Sequence, residues 1–351
     1  MATELSNITF TDQDDIFPVS EVHQIFNSGV ANTFVGNDTI MGIGSLDINE
    51  SSSEYGIANY GTLVTAEGND AIIGTSALSG LMSFSTFNTG EGNDIVAGEG
   101  DSYGIMTSDI FNTAEGDDVI TGKSNYTGII INEGIFDTGD GNDKITGIII
   151  ENDSINITSM GIVNNYFSGS LNTGDGNDTI DGSGSYGVIN EGLINTGNGK
   201  DIIITKGIKE SGGYGLLNRF TINTGEDDDI ITGIGGIYNE GVINMGNGND
   251  SITANAGFES DSNKNGSVFL GKGEDYVKGF GSGNFYGDNG NDILELTPGS
   301  YSVEVLGAAV NFIDSNNITM KTFEFENLIV NNTTYNFASL SNGQTISVVL
   351  L

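Results

Sequence analysis

Eleven aspartates recur along the 351-residue chain in one short phrase. It reads Gly68-Asn69-Asp70, Gly92-Asn93-Asp94, Gly141-Asn142-Asp143, Gly176-Asn177-Asp178, Gly248-Asn249-Asp250 and Gly290-Asn291-Asp292, with looser copies ending in Asp38, Asp118, Asp201, Asp229 and Asp275. Most intervals are 21 to 28 residues; those before Asp70 and Asp178 are 32 and 35, and the last is 17. A glycine-rich corner turns several carbonyls toward one point, and the aspartate adds a carboxylate. Stacked copies would set carboxylates about 5 Å apart, a column that repels itself unless neutralised. A hard cation between turns removes the repulsion. Calcium takes about 6–8 oxygens in flexible geometry, whereas magnesium insists on a tight octahedron and keeps its water. Eleven turns leave ten gaps, so at most ten Ca²⁺ fit on the column. The alternative is that the aspartates cap their turns through Asx hydrogen bonds without metal.

The elements that must position these turns follow from the same register. A period of about 20–50 residues marks a solenoid. Two residues after each aspartate the side chain is aliphatic, from Ile40 to Leu294; seven before, it is apolar, from Ala31 to Phe285. Thirteen before, eight of eleven are aliphatic, including Ile57, Ile105, Ile130 and Val188. Three inward positions in short alternating segments, separated by glycine corners, predict three strands per coil. Helices are not expected at this density of Gly and Asn. The chain is therefore expected to be all-β, a right-handed parallel β-helix or β-roll solenoid of about eleven coils of ~25 residues. Asparagines eleven before the aspartate (Asn27, Asn59, Asn132, Asn190) and six before it (Asn88, Asn172, Asn195) predict stacked amide ladders. Residues 1–23 are expected to form an N-terminal cap, residues 24–296 the solenoid, and residues 297–351 a C-terminal β cap.

Composition excludes several functions. Ten Lys+Arg against 48 Asp+Glu give a net charge of −38, which leaves no surface for nucleic acid. There is no cysteine, and His23 is the single histidine, so thiolate chemistry and zinc sites of the usual kind are absent. No apolar run reaches the roughly 18–20 residues of a membrane span. The basic residues of the coils show no cluster that would bind an acidic sugar, and the carboxylates belong mostly to the repeat. A polysaccharide lyase or hydrolase is therefore not expected.

Thr173-Gly174-Asp175-Gly176-Asn177-Asp178-Thr179-Ile180-Asp181 resembles the nonapeptide of RTX (hemolysin-type) calcium-binding repeats, as do Gly271–Asp275 and Asp288–Asp292. The resemblance implies Ca²⁺ held between stacked turns by Asp38, Asp70, Asp94, Asp118, Asp143, Asp178, Asp201, Asp229, Asp250, Asp275 and Asp292 together with loop carbonyls. Unlike the tandem nonapeptides of that family, one copy occurs per coil here, so a single calcium edge is expected. Phe34-Val35, Asp227 and Lys200 depart from the pattern. Thr322–Val330 resembles the segment that closes RTX proteins of cyanobacterial type, which implies a secreted protein exported by a type I route with the signal in residues 297–351. The expected role is that of an extracellular calcium-dependent structural or adhesive protein. Its partners would be calcium and either a cell-surface glycan or a second copy of itself. The alternative is a polysaccharide-binding or polysaccharide-active β-helix. For that reading, the tyrosines Tyr55, Tyr103, Tyr186 and Tyr214 could stack on sugars, and the insertion 148–160 could hold the site.

Overall fold

Glycine corners and alternating apolar residues wind the chain into a three-faced prism. The computed structural model describes residues 2–18, 24–45, 55–150, 159–165, 169–209, 212–261, 264 and 266–349. His23 and most of the insertion 148–160 lie outside the described residues. Each coil from that of Asp38 to that of Asp275 contributes one strand to each of three sheets, and the 17-residue coil of Asp292 adds none to the first. The first sheet has 11 strands, from Ala2–Glu4 to Phe258–Glu259; the second has 15, beginning with Val30–Asn32; the third has 14, beginning with Ile16–Phe17. Pairing between successive coils is parallel throughout the rod. Among the described residues there is no α-helix, only three-residue 3-10 turns such as Leu5–Asn7 and Phe337–Ser339.

The three inward columns form one continuous core. Ile40, Ile72, Ile180 and Ile203 point in from the third sheet, and Leu63, Phe87, Phe111, Phe136 and Ile194 from the second. Phe87, Phe111 and Phe136 stack face to face with centroids 4.6 and 4.3 Å apart, because in-register coils put like residue on like. Where the third sheet meets the first, two glycine columns touch. A Cβ on Gly98 would lie 2.0 Å from the carbonyl oxygen of Gly104, so that corner closes only if both residues lack one.

One part of the expected register is corrected. Ile130 was expected inward and Asn132 in the buried amide column. Instead Ile105 pairs with Ile129, and Ile129 and Ile131 are the buried residues. The 25-residue interval carries one extra residue, absorbed at Glu133, whose φ is +63°. A one-residue shift in a strand sends every side chain to the other face. The rest of the amide column runs as expected, joined by Asn164, which the 35-residue interval conceals: Asn164 Nδ2 donates to Asn190 Oδ1 at 2.9 Å and Asn190 Nδ2 to Asn218 Oδ1 at 2.8 Å.

Both ends are built from the same sheets. Ala2–Glu4 pairs parallel with Gln24–Asn27, and Ile16–Phe17 with Thr39–Ile43, so the N-terminal segment forms a partial coil. At the other end Thr319–Phe323 and Asn327–Val330 pair parallel with the last coil. Beyond them the pairing turns antiparallel through Ala309–Ile313, Gly299–Leu306 and Thr345–Val348 on one sheet and Thr333–Asn336 on another. On these two sheets antiparallel strands end the repeat and leave no in-register edge for a further coil.

Ile203 is fully buried, whereas its neighbour Ile202 faces outward and is half-exposed. Ile203→Ala should cost about 2–5 kcal/mol, and Ile202→Thr less than about 1 kcal/mol, measured as separate unfolding midpoints. Equal losses would mean the faces are assigned wrongly.

Candidate metal centre

All eleven aspartates face inward at the corner between the second and third sheets, and each is at most 2% exposed. They form a hydrogen-bonded column. The backbone N–H of each aspartate donates to Oδ1 of the aspartate one coil further along, at 2.7–3.0 Å, without interruption from Asp38 to Asp292. The turns that depart from the motif keep this bond: Asp38, Asp201 and Asp229 are rungs like the others.

A second column runs beside it in the opposite sense, on the residue just before the aspartate. The N–H of Asn69 donates back to Asn37 Oδ1, that of Asn93 to Asn69 Oδ1 and that of Asn142 to Asp117 Oδ1, at 2.7–2.8 Å. The Asn-Asp pair is thus two opposed ladders, the outer giving its proton backward and the inner forward. Lys200 breaks the outer ladder because it carries no acceptor; its Nζ instead pairs with Asp228 Oδ2 at 2.6 Å.

The inner ladder has two rungs beyond the eleven. At the N-terminal end Asp15 N–H donates to Asp38 Oδ1, and the outer ladder is extended in step by Asn37 N–H on Asp14 Oδ1, both at 2.8 Å. At the C-terminal end Asp292 N–H donates to Glu326 Oε2 at 2.8 Å. Asp15 could have been found in the sequence, since it stands 23 residues before Asp38 with Ile8 and Phe17 at the usual apolar offsets. Gln13 in place of the turn glycine hid it. Glu326 differs in residue type, and only Leu328 two residues on marks its register.

The second carboxylate oxygen behaves differently. Oδ2 of every one of the eleven aspartates is buried and has no hydrogen-bond partner. Burial disfavours the charge and raises these groups, with Asp118 reaching about 8, Asp94 and Asp201 about 7, and Asp70 and Asp178 about 6. The N–H of the preceding coil, which donates to Oδ1, offsets only part of this. The threonine hydroxyls also run up the column, as when Thr65 Oγ1 donates to the Thr89 carbonyl at 2.9 Å.

Turn carbonyls point along the same axis. Four residues before the aspartate, φ is positive in all eleven turns, including the non-glycines Phe34, Ala66, Ala114 and Asp288. A Cβ on Gly174 would lie 1.9 Å from the Gly139 oxygen, and one on Gly176 1.7 Å from the Gly141 oxygen. Among the described residues no three acidic or imidazole side chains converge on one point. A cation at this edge would therefore meet one or two carboxylates and complete its shell from carbonyls and water, a donor set suited to a hard ion.

No family model matches the chain, and no curated protein matches it. Among solved structures it is similar to a hyperactive, Ca²⁺-dependent, β-helical antifreeze protein from an Antarctic bacterium, at 17% identity over 84% of this chain and 70% of that one, with a TM-score of 0.40. Which atoms of this chain could take a cation turns on its own column.

The raised carboxyls fix a pH dependence for the metal-free protein. A folded value above the unfolded one means that the folded state holds protons the unfolded chain gives up. That stability is present below about pH 4 and is lost as the pH rises through about 6 to 8. In chelator the melting temperature should fall steadily from pH 5 to pH 8, read by circular dichroism. A flat or rising profile would contradict the burial of the column.

Proposed function

We propose that this chain is a calcium-binding β-solenoid whose turns are held by Ca²⁺ at the aspartate column, and that it serves as an extracellular structural or adhesive rod. One observation carries the reading: eleven buried carboxylates each leave an oxygen without a hydrogen-bond partner. Asparagine could have built the ladder alone, as it does elsewhere in this chain. An amide would replace the orphan oxygen by an NH₂ and carry no charge. The use of aspartate in all eleven turns marks a need for an anion at that point.

Asp38, Asp70, Asp94, Asp118, Asp143, Asp178, Asp201, Asp229, Asp250, Asp275 and Asp292 are the candidate ligands, with turn carbonyls beside them. Bound Ca²⁺ supplies positive charge that offsets the stacked carboxylates. The aspartates hold the turns in register through Oδ1 and leave Oδ2 for the ion, so stacking and binding use different atoms of one side chain. At a calcium level near 1 mM, as outside cells, such carbonyl-rich sites are filled; in a low-calcium cytosol the column would stay protonated or loosen. Such a calcium dependence is what an RTX-like chain exported through a type I route would need, and we include that route in the proposal. The alternative of a glycan site has no specific observation behind it. Tyr214 and Tyr238 spend their hydroxyls on Glu259 and Glu240, and Lys264 is paired with Glu240.

The test is a calcium titration of the chelated full chain at pH 8. Chelation should lower the melting temperature and remove part of the β-sheet signal, and calcium should restore both. Asp178→Ala should raise the calcium midpoint by about tenfold, while Asp109→Ala, at an exposed site off the column, should leave it unchanged. A wild-type chain that keeps its full spectrum and melting temperature in chelator at pH 8 would reduce the aspartates to turn residues.

A further inference from the structure

The turns are not equivalent along the rod. From the coil of Asp201 onward the turn backbones are zipped to one another. The N–H three residues before the aspartate donates to the carbonyl of the preceding turn: Glu226 to Gly197 at 3.3 Å, Asn247 to Gly225 at 3.0 Å, Lys272 to Gly246 and Asn289 to Gly271 at 2.9 Å. These contacts form a run of parallel bridges ending in a short two-stranded sheet, Lys272–Gly273 with Asn289–Gly290. The turns from Asp38 to Asp201 are also joined by backbone, through the N–H two before each aspartate, as Gly68 to the Glu91 carbonyl at 2.9 Å, but among the described residues they lack this second bond; at its position Asp175 N–H donates to a side chain, Asp140 Oδ1, at 3.1 Å. Six gaps are therefore open and four are zipped.

Charge divides at the same place. The residue three before the aspartate is Glu67, Glu91, Glu115, Asp140 and Asp175 in five successive turns, all exposed and none in an ion pair among the described residues. Further along it is Asn198, Glu226, Asn247, Lys272 and Asn289. Residues 24–197 hold 24 acidic and 2 basic side chains, residues 198–296 hold 15 and 7. In a zipped gap an N–H is directed at the carbonyl a cation would need, and the positive end of that dipole opposes the ion. In an open gap that carbonyl has no such partner and the exposed outer carboxylate row lies beside it; the inner row's buried Oδ2 is unpartnered in both kinds of gap, so the carbonyl and the outer row make the difference.

Resting on the calcium reading above, we infer that the column is divided: the six gaps between Asp38 and Asp201 take Ca²⁺, and the four between Asp201 and Asp292 are closed by backbone hydrogen bonds and need none. The C-terminal coils are then a metal-independent base on which the N-terminal coils are assembled by calcium.

Hydrogen–deuterium exchange on the full chain, in 1 mM Ca²⁺ and in chelator at pH 8, separates the possibilities. Chelation should speed exchange in turn peptides within residues 62–180 and leave those within 225–292 little changed, with about six ions bound by titration. Equal protection of both halves by calcium, or about ten ions bound, would overturn the division while leaving calcium binding intact. No effect of calcium in either half would overturn both. As a check on the outer row, the double variant Glu91→Gln with Glu115→Gln should raise the calcium midpoint roughly threefold, and Glu226→Gln should not; both sites are exposed, so folding in calcium is kept. A midpoint that moves equally for the two would also overturn the division.

Discussion

The rod depends on a single bond repeated from turn to turn: a backbone N–H of one aspartate given to the carboxylate of the next. A hydrogen bond to an anionic oxygen is short and strong in a dry corner. It fixes two things together, the rise of about 4.8 Å between coils and the angular register that puts like residue over like. The stacked phenylalanines, the amide ladders and the touching glycine columns all require that register, and none could set it alone. The bond also explains why the turn must be tight. In most turns the carbonyls before the aspartate tuck against a glycine, as the Gly139 oxygen does against Gly174.

This bond carries a liability in the oxygen it leaves over. Each rung fixes one carboxylate oxygen and strands the other away from water. A proton, a metal ion or unfolding can relieve it, so the column's stability is open to the solution in a way the apolar core is not. The opposed outer ladder has no such liability, since it runs on exposed Asn and Asp side chains. Even there it tolerates a lysine, where the pairing of Lys200 with Asp228 takes the place of the missing acceptor.

Most of the architecture was legible because the repeat is strict. The apolar positions around each aspartate read out two of the three buried columns without error, from Ile40 to Leu294 and from Ala31 to Phe285. The third column slipped at Ile130, where a single added residue is invisible to an offset counted from the far side of it. The extra rungs at Asp15 and Glu326 were hidden because the search was for a phrase, and both ends keep the geometry while discarding the phrase. The contact between Gly98 and Gly104 was illegible for another reason: it joins two strands of neighbouring faces, and a glycine in a strand does not announce which backbone it lets approach. The orphan oxygens could not be foreseen at all, since which half of a carboxylate is used depends on coordinates.

The direction of these bonds also governs how the rod would bear a load. Strands lie across the axis and the bonds between coils lie along it, so tension on the two ends pulls each coil's contacts apart in turn instead of shearing them together. A coil that comes away surrenders about 4.8 Å of height and releases some 25 residues of chain, which at about 3.4 Å each extend to roughly 80 Å. Stretched between two attachments, such a molecule lengthens in steps and dissipates work at each one. Held in that way, it would act as a shock absorber.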